Sequence, residues 1–317
     1  MAKKQKIETM ELNGRTVKIH EGPVGVYRTV GSVIFDIFNY VFVGLIALTT
    51  VLPIIYIIFN SFATEFELTT RSMFLIPHTW SVDAYTYIFS SNKILRSFGN
   101  SVLITAAGTA INLFFTVTFA YALSKKFLRG RNFILNMVIV SMFFSAGMIP
   151  GYIVVASWLH LRGTYWALLL PGAISAYNMM IVKNFFQGIP AELEESANLD
   201  GCNDLQPLWK IVLPLSGPVL ATFGLFYAVG HWNSYFPAMI YLTDDKMYPL
   251  QLILRNIIVT AEAAAGDMSL MDPNFVEPPK QSIKMAVIVV ATVPIMCVYP
   301  FLQKYFVKGV MVGALKG

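Results

Sequence analysis

The chain has 317 residues, 56% of them apolar and only 13% charged, with a formal net charge of +5 and a mean hydropathy of +0.61. A water-soluble domain carries roughly 25% charged residues, which excludes a surface that meets water everywhere. The basic residues are dispersed between long apolar runs, so they read as loop charges of a membrane protein and not as a nucleic-acid surface.

Lipid supplies no hydrogen-bond partners, which leaves helices or closed barrels as spanning structures. The apolar runs are far longer than the roughly 10-residue alternating strands of a barrel. The predicted fold is therefore all-α, a polytopic membrane protein with six transmembrane helices.

In chain order, residues 1–22 are polar and charged and predict a mobile tail. Residues 23–40 can include a helix lying in the interface, because Arg28, Ser32 and Asp36 recur at four-residue spacing. This divides the chain into a tail and interfacial segment, 1–30, and a transmembrane domain, 31–317, whose core runs from about 96 to 303. Val41–Phe59 exceeds the usual 7–15-residue apolar stretch of a cleaved signal, so it reads as a retained anchor.

Each span needs about 20 largely apolar residues. The first covers 36–59 and ends at Asn60-Ser61. The second covers 99–123 and stops at the basic cluster Lys125, Lys126, Arg129 and Arg131. The third, 132–157, is interrupted by Gly147 and Pro150-Gly151. The others are 165–186, 214–238 and 283–303. Such interruptions are tolerated where neighbouring helices or cavity water satisfy the freed backbone groups.

Orientation follows from Lys and Arg. With the N-terminus inside, the inner segments hold Lys3, Lys4, Lys6, Arg15, Lys18, Arg28, Lys125, Lys126, Arg129, Arg131, Lys183, Lys210, Lys304, Lys308 and Lys316. The outer ones hold Arg71, Lys93, Arg96, Arg162, Lys246, Arg255, Lys280 and Lys284. The inner side holds the majority of the 23 basic residues, so both termini are expected in the cytoplasm. The outer segments 60–98 and 239–282 are long. The second carries Asp244, Asp245, Glu262, Asp267, Asp272, Glu277 and Pro278-Pro279, and it is either a surface for an external partner or a connector. Cys202 and Cys297 are far apart and read as free thiols.

The polar inner loop 188–213 is the most informative segment. Pro190 suits a first helical turn, and Glu192, Glu194 and Glu195 just after it complement the positive end of the helix dipole. Leu193 and Ala197 form an apolar stripe with Ile189. Gly201 can take a positive φ and stop the helix. Asn203 or Asp204 can cap a second helix running through Leu205, Leu208, Trp209 and Ile211 to Leu213-Pro214. The product is a helix–glycine–helix elbow, suited to docking in a partner's groove or to lying on the membrane surface.

Glu195-Ser196-Ala197, Gly201 and then Ile211, Leu213 and Pro214 have the spacing of the EAA loop of binding-protein-dependent ABC importers, with Ser196 in place of the first alanine. The wider chain, about 30–317, resembles carbohydrate permeases of the maltose-transporter MalG type, in particular the LplC/YtcP group of oligosaccharide permeases. The similar stretches are Asn100-Ser101, Ala120-Tyr121-Ala122-Leu123-Ser124, Ile189-Pro190, His231-Trp232-Asn233-Ser234, Tyr305-Phe306-Val307-Lys308-Gly309 and Gly313-Ala314-Leu315-Lys316-Gly317.

The resemblance implies the type I importer permease fold and a coupling helix seated in a cleft of a separate ATPase. It implies that Glu195 meets a basic residue there, that Ser196 and Ala197 permit close approach, and that Gly201 allows the elbow. Glu194 and Asp200 complete the ATPase-coupling set. It further implies two ATPase subunits, a second permease (most simply a heterodimer, alternatively a homodimer) and an extracellular solute-binding protein. By the same resemblance the chain is a transport subunit and not an enzyme. It binds no cofactor itself, and ATP and Mg act on the partner ATPase.

The residues agree with that last point, since no G-x-x-x-x-G-K-[ST] loop and no metal-binding motif occurs. His20, His78, His160 and His231 are isolated in sequence. The rival class is an ion-coupled secondary transporter, which places functional acidic residues inside the membrane. The six predicted spans hold only Asp36, at an edge. An ABC permease for a non-sugar solute is the other alternative. Candidates for a sugar pathway are Trp158, Tyr177, Asn178, Tyr227, Trp232, Asn233 and Tyr235, which offer flat rings and hydrogen bonds but serve equally well in helix packing and interfacial belts.

Overall fold

The computed structural model describes residues 7–12, 15–20, 30–71, 73–90, 92–144, 146–203, 205–267 and 280–314, with side chains over 33–259 and 281–298 within those limits. Asp204, Asp272, Glu277, Pro278-Pro279 and the closing Leu315-Lys316-Gly317 lie outside the described residues. Two compact units divide at Ile55 and Tyr56.

In the first unit, β1 (Ile7–Leu12) and β2 (Arg15–His20) pair antiparallel, with Leu12 opposite Arg15 and Ile7 opposite His20. Within the expected tail over 1–22, residues 7–12 and 15–20 thus form a hairpin. Asn13-Gly14 between two β-capable runs is a strong short-range hairpin signal, and charge masked it. Helix α1 (Val30–Asn60) is continuous. The interfacial helix expected over 23–40 is therefore part of this span from Val30 onward, and 23–29 lie outside the described residues. Its side chains from Val33 to Ile54 are exposed, as lipid-facing positions are.

The second unit is helical: α2 (Glu65–Thr70), α3 (Asp83–Phe89), α4 (Asn92–Ser124), α5 (Arg131–Phe143), α6 (Met148–Ile153), α7 (Trp166–Leu169), α8 (Ala176–Gln187), α9 (Ala191–Leu199), α10 (Leu213–Leu215), α11 (Gly217–Asn233), α12 (Phe236–Tyr241), α13 (Leu250–Asp267) and α14 (Lys280–Ala314). Among the described residues, three stretches are long and apolar enough to cross a membrane: Val33–Asn60, Asn92–Ser124 and Gln281–Val298. A fourth results if Leu208–Leu215 and Gly217–Asn233, bent by 79°, count as one span.

The other predicted spans are broken. The third stops at Phe143 and resumes at Met148 beyond Gly147, whose φ is +80°. It ends in a wide turn, with the Leu159 N–H reaching Val154 O across five residues. The fourth is α7 and α8, parted at Pro171-Gly172. The bend in the fifth sits at Ser216, between Pro214 and Pro218, which lack the N–H needed to continue a helix.

Helix α4 is the axis of this unit. Its 33 residues span about 50 Å and join two cores. At its C-terminal end Val117, Ala120, Tyr121 and Leu123 pack with Met179, Val182 and Phe186 of α8 and Phe223 and Tyr227 of α11. At the other end Ile94 joins Ile88, Trp232, Leu250, Leu254, Ile283, Ala286 and Val287.

Near that N-terminal end, buried Glu67 accepts hydrogen bonds from His78 N (2.9 Å), Thr79 N (3.1 Å) and Thr79 Oγ1 (3.0 Å), and pairs with Arg71. These donors, His78 N–H first, lower its pKa from 4.5 to about 2, against the opposing effect of burial. Glu65 accepts from Gln281 N (3.0 Å), Ser282 N (3.0 Å) and Ser282 Oγ (3.2 Å), satisfying the otherwise unpaired first N–H groups of α14 from a distant element.

Candidate functional site

The loop after α8 is built tightly. The α8 N-terminus is capped by Ser175 Oγ, which accepts from Asn178 N. After α8, Gly188 N bonds Phe185 O and Ile189 N bonds Phe186 O, which turns the chain into Pro190. Ile189 packs on the core beneath. Helix α9 follows and ends in a Schellman motif: Cys202 N bonds Ala197 O at 3.0 Å, Gly201 N bonds Asn198 O at 3.1 Å, and Gly201 has φ +86°. A Cβ at Gly201 would meet nothing within 4 Å, so the preference for glycine there comes from backbone conformation alone.

The faces of α9 are distributed unevenly. Glu194 and Ala197 are half-buried, while Glu192, Glu195, Ser196, Asn198, Leu199, Asp200 and Gly201 are exposed. Leu193, on the expected apolar stripe, is 42% exposed, and Leu199 is 90% exposed. With Leu205 and Trp209, also exposed, Leu199 gives the loop an apolar outer surface that the predicted stripe overlooked. Its signal was a leucine two residues before the helix-stopping glycine and out of phase with Leu193 and Ala197. In the second half of the elbow, Gln206 Oε1 accepts from Asn203 N at 3.1 Å, the back-reaching bond of a capping box at the expected cap residue Asn203. Leu208 and Val212 are buried.

Glu194 differs most from expectation. Its carboxylate pairs with Lys125, just past the end of α4. The Tyr121 hydroxyl donates to the same oxygen at 3.4 Å, and Lys125 Nζ lies 4.2 Å from the Tyr121 ring centroid. The remaining carbonyls of α4's last turn are also occupied. Tyr121 O accepts from Ser124 Oγ (2.7 Å), Ala122 O from Lys125 N (3.3 Å), Leu123 O from Arg131 Nε (2.8 Å) and Ser124 O from Gln187 Nε2 of α8 (3.2 Å).

The sugar-pathway candidates do not converge on one surface. Tyr227 is buried and shares a 2.7 Å hydrogen bond with Thr116 of α4. Trp232 is buried too; its Nε1 donates to Ala291 O at 3.1 Å and its ring meets the edge of Phe98. Both rings are engaged in helix packing. Trp158, Tyr177, Asn233 and Tyr235 are exposed, Asn178 is half-buried, and Arg255 lies over the Tyr235 ring at 5.3 Å.

A polar contact not anticipated from the sequence joins α4 to α11. The Asn112 side chain meets His231 Nε2 at 2.6 Å and donates to Gly172 O. Gly108 makes room, since a Cβ there would lie 2.4 Å from the imidazole. The signal was two four-residue pairs, Asn112 with Thr116 and Tyr227 with His231, each on one face of a helix. An open cavity of about 1080 Å³ lies between α4, α11 and α14. Its lining includes Trp232 and is apolar apart from the Thr105 and Thr109 hydroxyls and that indole.

A profile of the family described as binding-protein-dependent transport system inner membrane component matches residues 124–312. Protein LplC of Bacillus subtilis (strain 168) is 53% identical over 291 residues, covering 92% of this chain and 98% of the relative. The polygalacturonan/rhamnogalacturonan transport system permease protein YtcP of the same organism is 51% identical over 284 residues, covering 90% and 99%. Among solved structures, a chain of a bacterial ABC transporter involved in the import of the acidic polysaccharide alginate superposes with a TM-score of 0.78 at 35% identity, covering 88% of this chain and 99% of that one.

Proposed function

The chain belongs to the family of binding-protein-dependent transport system inner membrane components, and we propose from that premise that it forms half of a membrane pathway importing an oligosaccharide, driven by a separate ATPase that grips α9. It is the permease subunit of an ABC transporter and does no chemistry of its own. ATP and Mg act on two ATPase subunits in the cytoplasm, where both termini also lie. A second permease, different from this chain, completes the pathway, and an extracellular binding protein delivers the cargo.

One observation carries the coupling assignment: α9 is a nine-residue helix, fixed at Glu194 and Gly201, that turns Glu195, Ser196 and Leu199 outward. A rigid helix with a small residue, a carboxylate and an apolar side chain on one free face suits a groove lined by basic and apolar groups. The names of YtcP and of the alginate transporter support fragments of acidic polysaccharides as the first cargo to try.

The test is reconstitution in liposomes with a second permease, the ATPase and binding protein loaded with oligogalacturonides. ATP-dependent uptake is the expected outcome. Uptake driven by a proton or sodium gradient with no ATPase bound would remove this reading.

A further inference from the structure

We propose that Glu194 works inside the chain, as the positioning residue through which a displacement of α9 is passed to α4 by way of Lys125 and Tyr121. This rests on the permease reading above and assigns adjacent carboxylates different tasks: Glu195 faces outward to the partner, and Glu194 faces inward to the bundle.

Helix α9 has no buried residue and only nine positions. A helix that short is marginal by itself and takes its place from anchors. The Glu194–Lys125 pair is the ion pair among the described residues that ties α9 to the end of α4; the others are Arg71–Glu67 and Lys93–Asp245. Both side chains are largely withdrawn from water, at 19% and 18% exposure, so the attraction is much less screened than at an open surface.

Tyr121 covers the ammonium with its ring and bonds the carboxylate with its hydroxyl, and its own ring is buried edge-on against Phe186 of α8. Gln187 ties α8 to the same helix end through Ser124 O. A charged contact seated on an interlocked core moves with that core.

Helix α4 then carries the displacement onward. Four and five residues before Tyr121 lie Val117 and Thr116; Thr116 is bonded to Tyr227, and Asn112, one turn further, to His231, both on α11. The route from α9 to α11 thus runs through separate polar contacts, at Lys125 and Tyr121 on one side and at Thr116 and Asn112 on the other, joined by the backbone of one rigid helix. Contiguity does not by itself demonstrate coupling, so the experiment must read coupling directly.

The complete transporter, reconstituted in liposomes, is compared as wild type, Glu194→Gln, Lys125→Met, and the exchange Glu194→Lys with Lys125→Glu. Three quantities are followed: ATPase retained on purification, binding-protein-stimulated hydrolysis, and uptake per ATP hydrolysed. Both single variants should keep the ATPase and still hydrolyse, while uptake per ATP falls about tenfold, within the usual range of coupling between sites. The exchange should recover most of that loss, which a purely structural injury would not.

Unchanged uptake per ATP in the single variants overturns the link. So does loss of the ATPase from Glu194→Gln, which would place that carboxylate at the partner, and so does failure of the exchange to recover what the singles lose. Wild-type uptake that needs no ATPase overturns the permease reading, and this proposal with it.

Discussion

Two short acidic helices, α2 and α9, sit near opposite ends of the long α4, and they treat their carboxylates differently. In α2 both Glu65 and Glu67 are consumed by the chain, one holding the first N–H groups of α14 and the other gathering backbone and side-chain donors from His78 and Thr79. In α9 only Glu194 is consumed, and Glu192 and Glu195 remain in water. A carboxylate that satisfies buried donors is a fastener, and removing it strands those donors. A carboxylate left exposed at the start of a rigid helix stabilises little, so its presence there suits contact with something outside the chain. Helix α2 is thus built to hold, and on the proposed reading α9 is built to be held.

The sharpest way to break this comparison is Glu195→Lys. If the outer face of α9 meets a basic surface, reversing the charge juxtaposes like charges at an interface, where the penalty runs to several kcal/mol. The variant should insert normally and lose binding-protein-stimulated hydrolysis by about a hundredfold. Normal stimulation and uptake would mean that α9 does not dock through this side chain.

Gly201 comes next. At φ +86° a β-branched residue is strongly strained, by about 1–2 kcal/mol or more, whereas asparagine tolerates the region. Gly201→Val should reduce the ATPase recovered on purification several-fold, and Gly201→Asn should retain most of it. Gly313→Val, in the helical backbone of α14, should fall closer to the asparagine variant. Equal recovery with both valine variants would remove the elbow from the coupling argument.

Much of this was legible before any coordinates. The length of the apolar runs called for helices, and the Pro190-to-Gly201 interval marked a helix with a positive-φ stop. What stayed hidden depends on tertiary phase. Glu194 and Glu195 are indistinguishable in sequence, and which one turns inward is decided by Lys125, 69 residues earlier. Leu199 reads as another apolar position until the helix is placed and it is found in the open. The fourth span reads as continuous because hydropathy averages over Pro171-Gly172, where the backbone departs from the helix, whereas the break at Gly147 in the third was legible from the residue itself. Spacing could have found the Asn112–His231 contact, since both helices repeat a polar residue at four, but only packing pairs them.

A third prediction sharpens the α2 side. Because Glu67 has a pKa of about 2 in the folded chain against 4.5 ordinarily, its contribution to stability is fully present above pH 4.5 and is lost as pH falls from there through about 2. Glu67→Gln should lower the melting temperature at neutral pH, and the gap from wild type should close progressively across that acid window. A gap that stays constant down to pH 2 would show that Glu67's charge is not what gathers His78 and Thr79.

The smallest effect is expected at Asp245, which also lies near the N-terminal end of α4. Its pKa is lowered chiefly by the hydrogen bond from Lys93, at 3.0 Å, with Lys93, Lys246 and Arg96 adding to the local positive field. By distance alone this pair resembles the others, yet both partners are more than half exposed. Water and salt screen such a pair, and holding two mobile side chains together offsets most of what is left. Asp245→Asn should therefore leave the melting temperature unchanged within error, at low and at high salt alike. A loss comparable to that of Glu67→Gln would mean that the position of a carboxylate along the chain, and not its removal from water, decides whether it fastens the fold, and the contrast between α2 and α9 would lose its physical basis.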